Sequence, residues 1–192
     1  MKDLETKRLV IRPFASDDLP VIHRILDQTL GNGLHVDDKA ALLERKSWLR
    51  WSILNATWLA TLHQPPYGDR AVVLKTTGEL IGSVGYVPLL DVYEQIPELN
   101  NGTSRENSYR TPEFGLFWAI DPSHQRQGYA GEAAAAMVTY AFEELRLKRI
   151  LATTEYANEA SQGVMRKLGM TLAQNPSPDP PWLQIVGFLE IV

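Results

Sequence analysis

The stretch "DPSHQRQGYAGEAAAAMVTYAF", residues 121–142, decides how this chain is read. A proline turn gives way to a basic, amide-rich segment broken by glycine, and that to an alanine-rich apolar run. A helix that starts straight after a strand presents backbone N–H groups with no intrahelical partner and the positive end of its dipole, a ready seat for a phosphate or pyrophosphate. In the run Gln125, Arg126, Gln127, Gly128, Tyr129 and Ala130, the small Gly128 and Ala130 keep bulk away from the amides, and Arg126 adds positive charge at the rim. Ala133 to Ala136 let the helix lie close on a sheet. No Gly-Lys-Ser/Thr follows, so the turn is not a P-loop, and the three spaced glycines of a dinucleotide fingerprint are missing. A lone glycine near a helix start is equally a plain turn residue. Glu132 adds a negative charge to the first helical turn, favourable to the dipole, and is expected to point away from the phosphates.

Outward from this turn the pattern alternates between strand and helix. "RLVIRPF" (8–14) reads as a first strand with one wet face, and Ser16 as the N-cap of an amphipathic helix through Leu19, Ile22, Ile25 and Leu26. A second helical region from about Val36 to Leu62 is expected to be bent or in two pieces, with Trp48, Trp51 and Trp58 packing in the core; the alternative is that they rim a cleft. "RAVVLKTTGELIGSVGYVPL" (70–89) is a hairpin with Gly78 in its turn. Residues 91–112 lack a period and read as a long loop, in which Tyr93 and Tyr109 are candidates to line a pocket and an excess of acid would favour a cationic amine. "EFGLFWAI" (113–120) and "RILATTEY" (149–156) are strands, "NEASQGVMRKLGM" (158–170) a short helix capped by Gly169, and "WLQIVGFLEIV" (182–192) a closing strand. The order is β, α, α, β, β, β, α, β, α, β, without repeats or a dividing linker.

Composition bounds the function. The chain has 192 residues, which fit a single domain spanning 1–192 with a real core. It has no cysteine, which excludes thiol nucleophiles, thiolate metal sites and disulfides. The four histidines show no metal-ligand spacing, so no metal is expected, and only His124 lies beside the turn. A net charge of −4 offers no basic footprint for general nucleic-acid binding. The N-terminus is charged, and no stretch approaches the roughly 18 apolar residues of a membrane span, so a cytoplasmic protein that does not engage membranes is expected.

The Q-x-x-G-x-A of Gln125, Gly128 and Ala130, after a strand ending in "AIDP" and before a long helix, resembles the acetyl-coenzyme A pyrophosphate loop of the GNAT superfamily of N-acetyltransferases. "LETKRLVIRPF", "GELIGSVGY", "EFGLFWAI" and "NEASQGVMRKLGM" resemble, in order, segments of its RimJ/RimL-like, ribosomal-protein N-acetyltransferase branch, so the likeness covers nearly the full chain. It implies an α/β (α+β) fold whose central, mixed and mostly antiparallel sheet is flanked by helices. The fourth and fifth strands, here about 113–120 and 149–154, would splay to admit the pantetheine arm. It further implies that backbone groups of Phe117, Ala119 and Ile120 bond the pantetheine and the amides of Gln125 to Ala130 the pyrophosphate. Asn158 resembles a cofactor-side asparagine; it also reads as a simple N-cap, and the two roles are compatible.

Acetyl transfer needs a neutral amine, a polarised thioester carbonyl and relief for the departing thiolate. In similar enzymes a glutamate at the mouth of the fourth strand takes the amine's proton, which makes Glu113 the candidate base, with Glu155 a weaker one; a solvated strand-end acid is the plain alternative. Many superfamily members carry a tyrosine acid seven residues after the asparagine, where this chain has Met165. Ser161 matches the serine of Rim-type relatives and would hydrogen-bond the coenzyme sulfur, or merely pack the helix turn. The implied reaction is acetyl transfer to a primary amine, a protein N-terminus or a small molecule, by direct attack in a ternary complex. A non-catalytic acyl-CoA sensor and a nucleotide-binding module stand as rivals, and a homodimer is compatible with the sequence.

Overall fold

The computed structural model describes residues 1–31, 38–99 and 109–191. The strands are β1 (Leu4–Glu5), β2 (Leu9–Arg12), β3 (Gly68–Leu74), β4 (Leu80–Asp91), β5 (Thr111–Ile120), β6 (Arg149–Thr154), β7 (Thr171–Gln174) and β8 (Ile185–Glu190). The α-helices are α1 (Leu19–His23), α2 (Asp38–Thr61), α3 (Tyr129–Glu143) and α4 (Glu159–Lys167). The strands bond in the order β1-β2-β3-β4-β5-β6-β8-β7, an open mixed sheet flanked by helices. Among the described residues, β5 and β6 pair in parallel and the other registered pairings are antiparallel. The expected α/β fold is therefore the observed one. Among the described residues no helix is long and apolar enough to cross a membrane.

The chain forms two compact units: Met1–Tyr86 with Trp118–Met137, and Val87–Phe117 with Val138–Val192. In the first, Leu9 and Ile11 of β2 are wholly buried and alternate with half-exposed Val10 and Arg12, as a period of two demands. The β3–β4 hairpin closes as expected, Gly78 adopting φ +72° while its N–H donates to the Leu74 carbonyl at 2.8 Å. The core gathers Phe14, Ile22, Leu49, Ala71, Val73 and Leu80, and Trp48 meets the Phe14 ring edge-on at 5.3 Å.

Three expectations fail here. Ser16 does not cap the first helix by its side chain; a 3₁₀ turn (Ser16–Asp18) precedes α1, and Asp18 Oδ2 accepts from the Ala15 N–H at 2.8 Å, because Arg12 already fixes that carboxylate in place. The second helical region is not broken: α2 is one helix of 24 residues, and the expected start at Val36 lies outside the described residues. Nor do all three tryptophans pack inward. Trp51 and Trp58 stand 50% and 56% exposed, because α2 carries apolar residues on two sides and its unit covers only one.

In the second unit, β6 and β8 pair over their full length and β7 adds an edge strand that the sequence reading omitted. Its core comprises Tyr93, Ile96, Leu151, Ala173, Leu183 and Val186. Tyr93 is thus buried, contrary to its expected place in a pocket, since a short 3₁₀ turn (Tyr93–Gln95) aims the ring inward. The closing strand is shorter than expected, as Pro181–Leu183 form a 3₁₀ turn first. Helix α4 ends as foreseen, with the Met170 N–H returning to the Met165 carbonyl across Gly169. Met165 is 1% exposed and fills the space over Gly187, where a Cβ would come within 3.0 Å of its sulfur.

Candidate active site

The turn after β5 is built from local constraints. Asp121, 2% exposed, caps the short 3₁₀ turn Pro122–His124 by accepting from the Ser123 N–H at 3.0 Å and its hydroxyl at 2.8 Å. Arg24 reaches the other oxygen of Asp121 at 2.7 Å. Burial pushes this carboxyl upward, but the Ser123 and Arg24 bonds outweigh it and hold it below the usual range. Gln125 Nε2 donates to the Ile120 carbonyl at 2.9 Å, tying the turn back to its strand.

Arg126 then takes φ +59° and Gly128 φ +83°, both in the left-handed region, and the chain enters α3 at Tyr129. The first helical bond runs from the Glu132 N–H to the Gly128 carbonyl at 3.0 Å. The amides of Tyr129, Ala130 and Gly131 precede it and have no acceptor one turn back. One detail differs from expectation: the Gln125 amide donates to the Pro122 carbonyl at 3.3 Å, because it closes the 3₁₀ turn, so the amides open to an anion begin at Arg126. Residues 125–128 are exposed, as a ligand seat requires. Ala133 and Ala134 are wholly buried, and Tyr86 Oη donates to the Met137 carbonyl at 2.5 Å, so the helix does lie close on the sheet.

Glu132 points away from this seat. Its carboxylate accepts from Arg8 Nε at 2.6 Å, the Arg8 N–H at 2.8 Å and the Thr6 hydroxyl at 2.5 Å. Burial pushes Glu132 upward, while Thr6 and Arg8 outweigh that and keep it ionised well into the acid range. Arg8 also donates to the Gln127 carbonyl at 2.9 Å and lies 4.3 Å from the Tyr129 ring centre. Arg8, Thr6, Asp121 and Arg24 were not singled out in the sequence. No spacing rule links residue 8 to residue 132, and only the sheet brings them together.

In the second unit, β5 and β6 share one registered pair, Gly115 with Leu151. Glu113 and Arg149 stand two residues before it on each strand, and Arg149 grips both oxygens of Glu113, Nε at 3.1 Å and Nη2 closer still, while its Nη1 donates to Glu190 at 2.9 Å. Tyr93 is held above the ordinary phenol range by burial, and then by the charges of Asp91 and Glu113. Glu155 is exposed and lacks the burial that its candidacy required. Asn158 caps α4, its Oδ1 accepting from the Ser161 N–H at 3.0 Å; Ser161 is half-buried and Asn158 exposed. Phe117, in this unit, and Ala119, in the first, are half-buried; Ile120 is buried.

Among the described residues, an open mixed sheet with one registered parallel pair, followed by a strand–turn–helix whose first amides have no helical acceptor, defines an α/β protein. The model of the acetyltransferase (GNAT) domain matches residues 8–171, so the chain belongs to the GNAT acetyltransferase family. An N-acetyltransferase of Bacillus subtilis, YoaA, is 28% identical over 167 residues, covering 86% of this chain and 81% of its own. Another from that organism, YnaD, is 47% identical over 57 residues, which span 30% of this chain and only 34% of that relative. The solved structure of RimL, a ribosomal L7/L12 α-N-protein acetyltransferase in complex with coenzyme A, superposes with a TM-score of 0.63 at 15% identity, covering 97% of this chain and 96% of that one.

Proposed function

We propose that this chain is an acetyl-CoA-dependent N-acetyltransferase of the RimJ/RimL-like branch, acting as one domain on a primary amine. The observation that carries the reading is the turn itself: Arg126 and Gly128 at positive φ, opening on the first amides of α3. Those amides, from Arg126 to Ala130, hold the coenzyme pyrophosphate, and backbone groups of Phe117, Ala119 and Ile120 take the pantetheine. Family membership and the coenzyme A held by RimL support this assignment.

The amine nitrogen attacks the thioester carbon, the C–S bond breaks, the amine's proton leaves to a base, and the thiolate departs to be protonated. Most of the acceleration comes from holding amine and thioester together. Glu113, paired with Arg149, takes that proton. Once the nitrogen has added to the carbonyl it is far more acidic, and a weak base suffices. This favours an acceptor with the larger neutral fraction at pH 7, an α-amine with pKa near 8, over an alkyl amine near 10. Ser161 stabilises the departing sulfur by a hydrogen bond, and Asn158, besides capping α4, orients that end of the coenzyme.

The test is thiol release from acetyl-CoA at pH 7 with peptide N-termini, polyamines and amino acids as acceptors. A peptide α-amine should show about a hundredfold higher kcat/KM than a polyamine, close to the ratio of their neutral fractions. Preference for the polyamine would overturn the α-amine assignment.

A further inference from the structure

Helix α2 buries Ala41, Leu49 and Ser52 and sets Trp48 and Ile53 against the core of its unit. Its outer side is apolar as well. Trp51, Leu54, Trp58 and Leu62 follow one another at intervals of three and four residues, so they share one stripe, and they are 50, 47, 56 and 58% exposed. The Leu62 N–H donates to the Trp58 carbonyl at 3.0 Å, which keeps Leu62 on the helical path. Residues 51–62, "WSILNATWLATL", contain no charged side chain. With about half of two tryptophans and two leucines uncovered, the stripe exposes on the order of 400 Å² of apolar surface, which on a protein surface marks an interaction site rather than scatter.

We propose that this stripe joins two copies of the chain, α2 packing antiparallel on α2 about a two-fold axis near Ala56. The sequence is self-complementary in that arrangement. Leu54 of one copy meets Trp58 of the other and the reverse, while Trp51 meets the last turn, Thr61 and Leu62, so each tryptophan faces a leucine across the axis. Charge fixes the direction. The basic residues flanking the stripe, Lys46 and Arg50, lie toward its N-terminal end. Antiparallel packing sets Arg50 beside the last turn of the other helix, the negative end of its dipole, whereas parallel packing would stack like charges. The two stripes and their rims together bury on the order of 1,000 Å² or more, enough for a specific dimer.

Sedimentation equilibrium or light scattering on the full chain reads the state directly. Twice the 21.6 kDa chain mass is expected at about 50 μM. Trp58→Glu should weaken self-association at least a hundredfold with unchanged far-UV circular dichroism, and the milder Leu62→Lys at least tenfold. The chain has no cysteine, so oxidising a mixture of Leu54→Cys and Trp58→Cys chains should give the mixed disulfide-linked pair in preference to either homodimer. A native monomer at this concentration, a dimer indifferent to both charged variants, or a stripe covered only when an acceptor protein is added would each overturn the proposal.

Discussion

Arg8 holds Glu132 by a 2.6 Å ion pair and, with the same guanidinium, bonds the Gln127 carbonyl at 2.9 Å. One side chain thereby holds the acid of the first α3 turn and braces the turn that precedes that helix, the proposed pyrophosphate seat. Arg8→Ala should raise the dissociation constant for acetyl-CoA about tenfold, ~1.4 kcal/mol, measured by titration calorimetry. Arg8→Lys should recover only part of it, because an ammonium cannot reproduce the planar fork.

Gly128 has φ +83°, and a Cβ there would lie 3.4 Å from Arg8 Nη2. Gly128→Trp puts a bulky side chain at the seat in a strained backbone region. Coenzyme affinity should fall more than a hundredfold, while the thermal transition moves by only a few degrees.

Much of the turn's geometry was legible in residues 121–142, because its signals are local: a cap, a glycine at positive φ, small residues at a helix start. The β3–β4 hairpin and the Gly169 cap were legible for the same reason. What escaped is long-range. Arg8 with Glu132 and Arg149 with Glu113 are separated by 124 and 36 residues, and only the packing of α3 in the first case and strand order in the second make them neighbours. The tryptophans of α2 misled because periodicity reports an apolar face without saying what covers it, and β7 escaped because four residues with one wholly buried side chain carry too little pattern.

Asp121→Ala would leave Arg24 without its carboxylate and the Ser123 N–H without an acceptor at the entrance to the turn. The cost should be about 2–3 kcal/mol in denaturant unfolding. Asp121→Asn should retain part of it, since the amide oxygen still caps the 3₁₀ turn.

Burial raises half-buried Asp69 from an ordinary 3.8 to about 7, against the opposing pull of the Ser83 hydroxyl and the Arg45 charge. The folded state therefore holds this proton more tightly than the unfolded chain does. Its contribution is fully present below about pH 4 and is lost as pH rises toward 7. Asp69→Asn should accordingly be more stable than the native chain at pH 8, by on the order of 1–2 kcal/mol, and nearly equal at pH 4. Paired unfolding curves at the two pH values check this.

Glu113→Gln removes the proposed proton acceptor while keeping a hydrogen-bonding oxygen for Arg149. Turnover at pH 7 should fall about tenfold and recover partly at pH 9, where the amine needs less help. An unchanged pH profile would take Glu113 out of the mechanism.

The central claim is acetyl transfer from a coenzyme seated on the α3 turn, and its most direct measurement is acceptor-dependent thiol release from acetyl-CoA by the native chain and by Gly128→Trp. Release should require an amine and disappear in the variant. Tight acetyl-CoA binding with no acceptor-stimulated release from any amine tested, or displacement of acetyl-CoA by ATP, would contradict it.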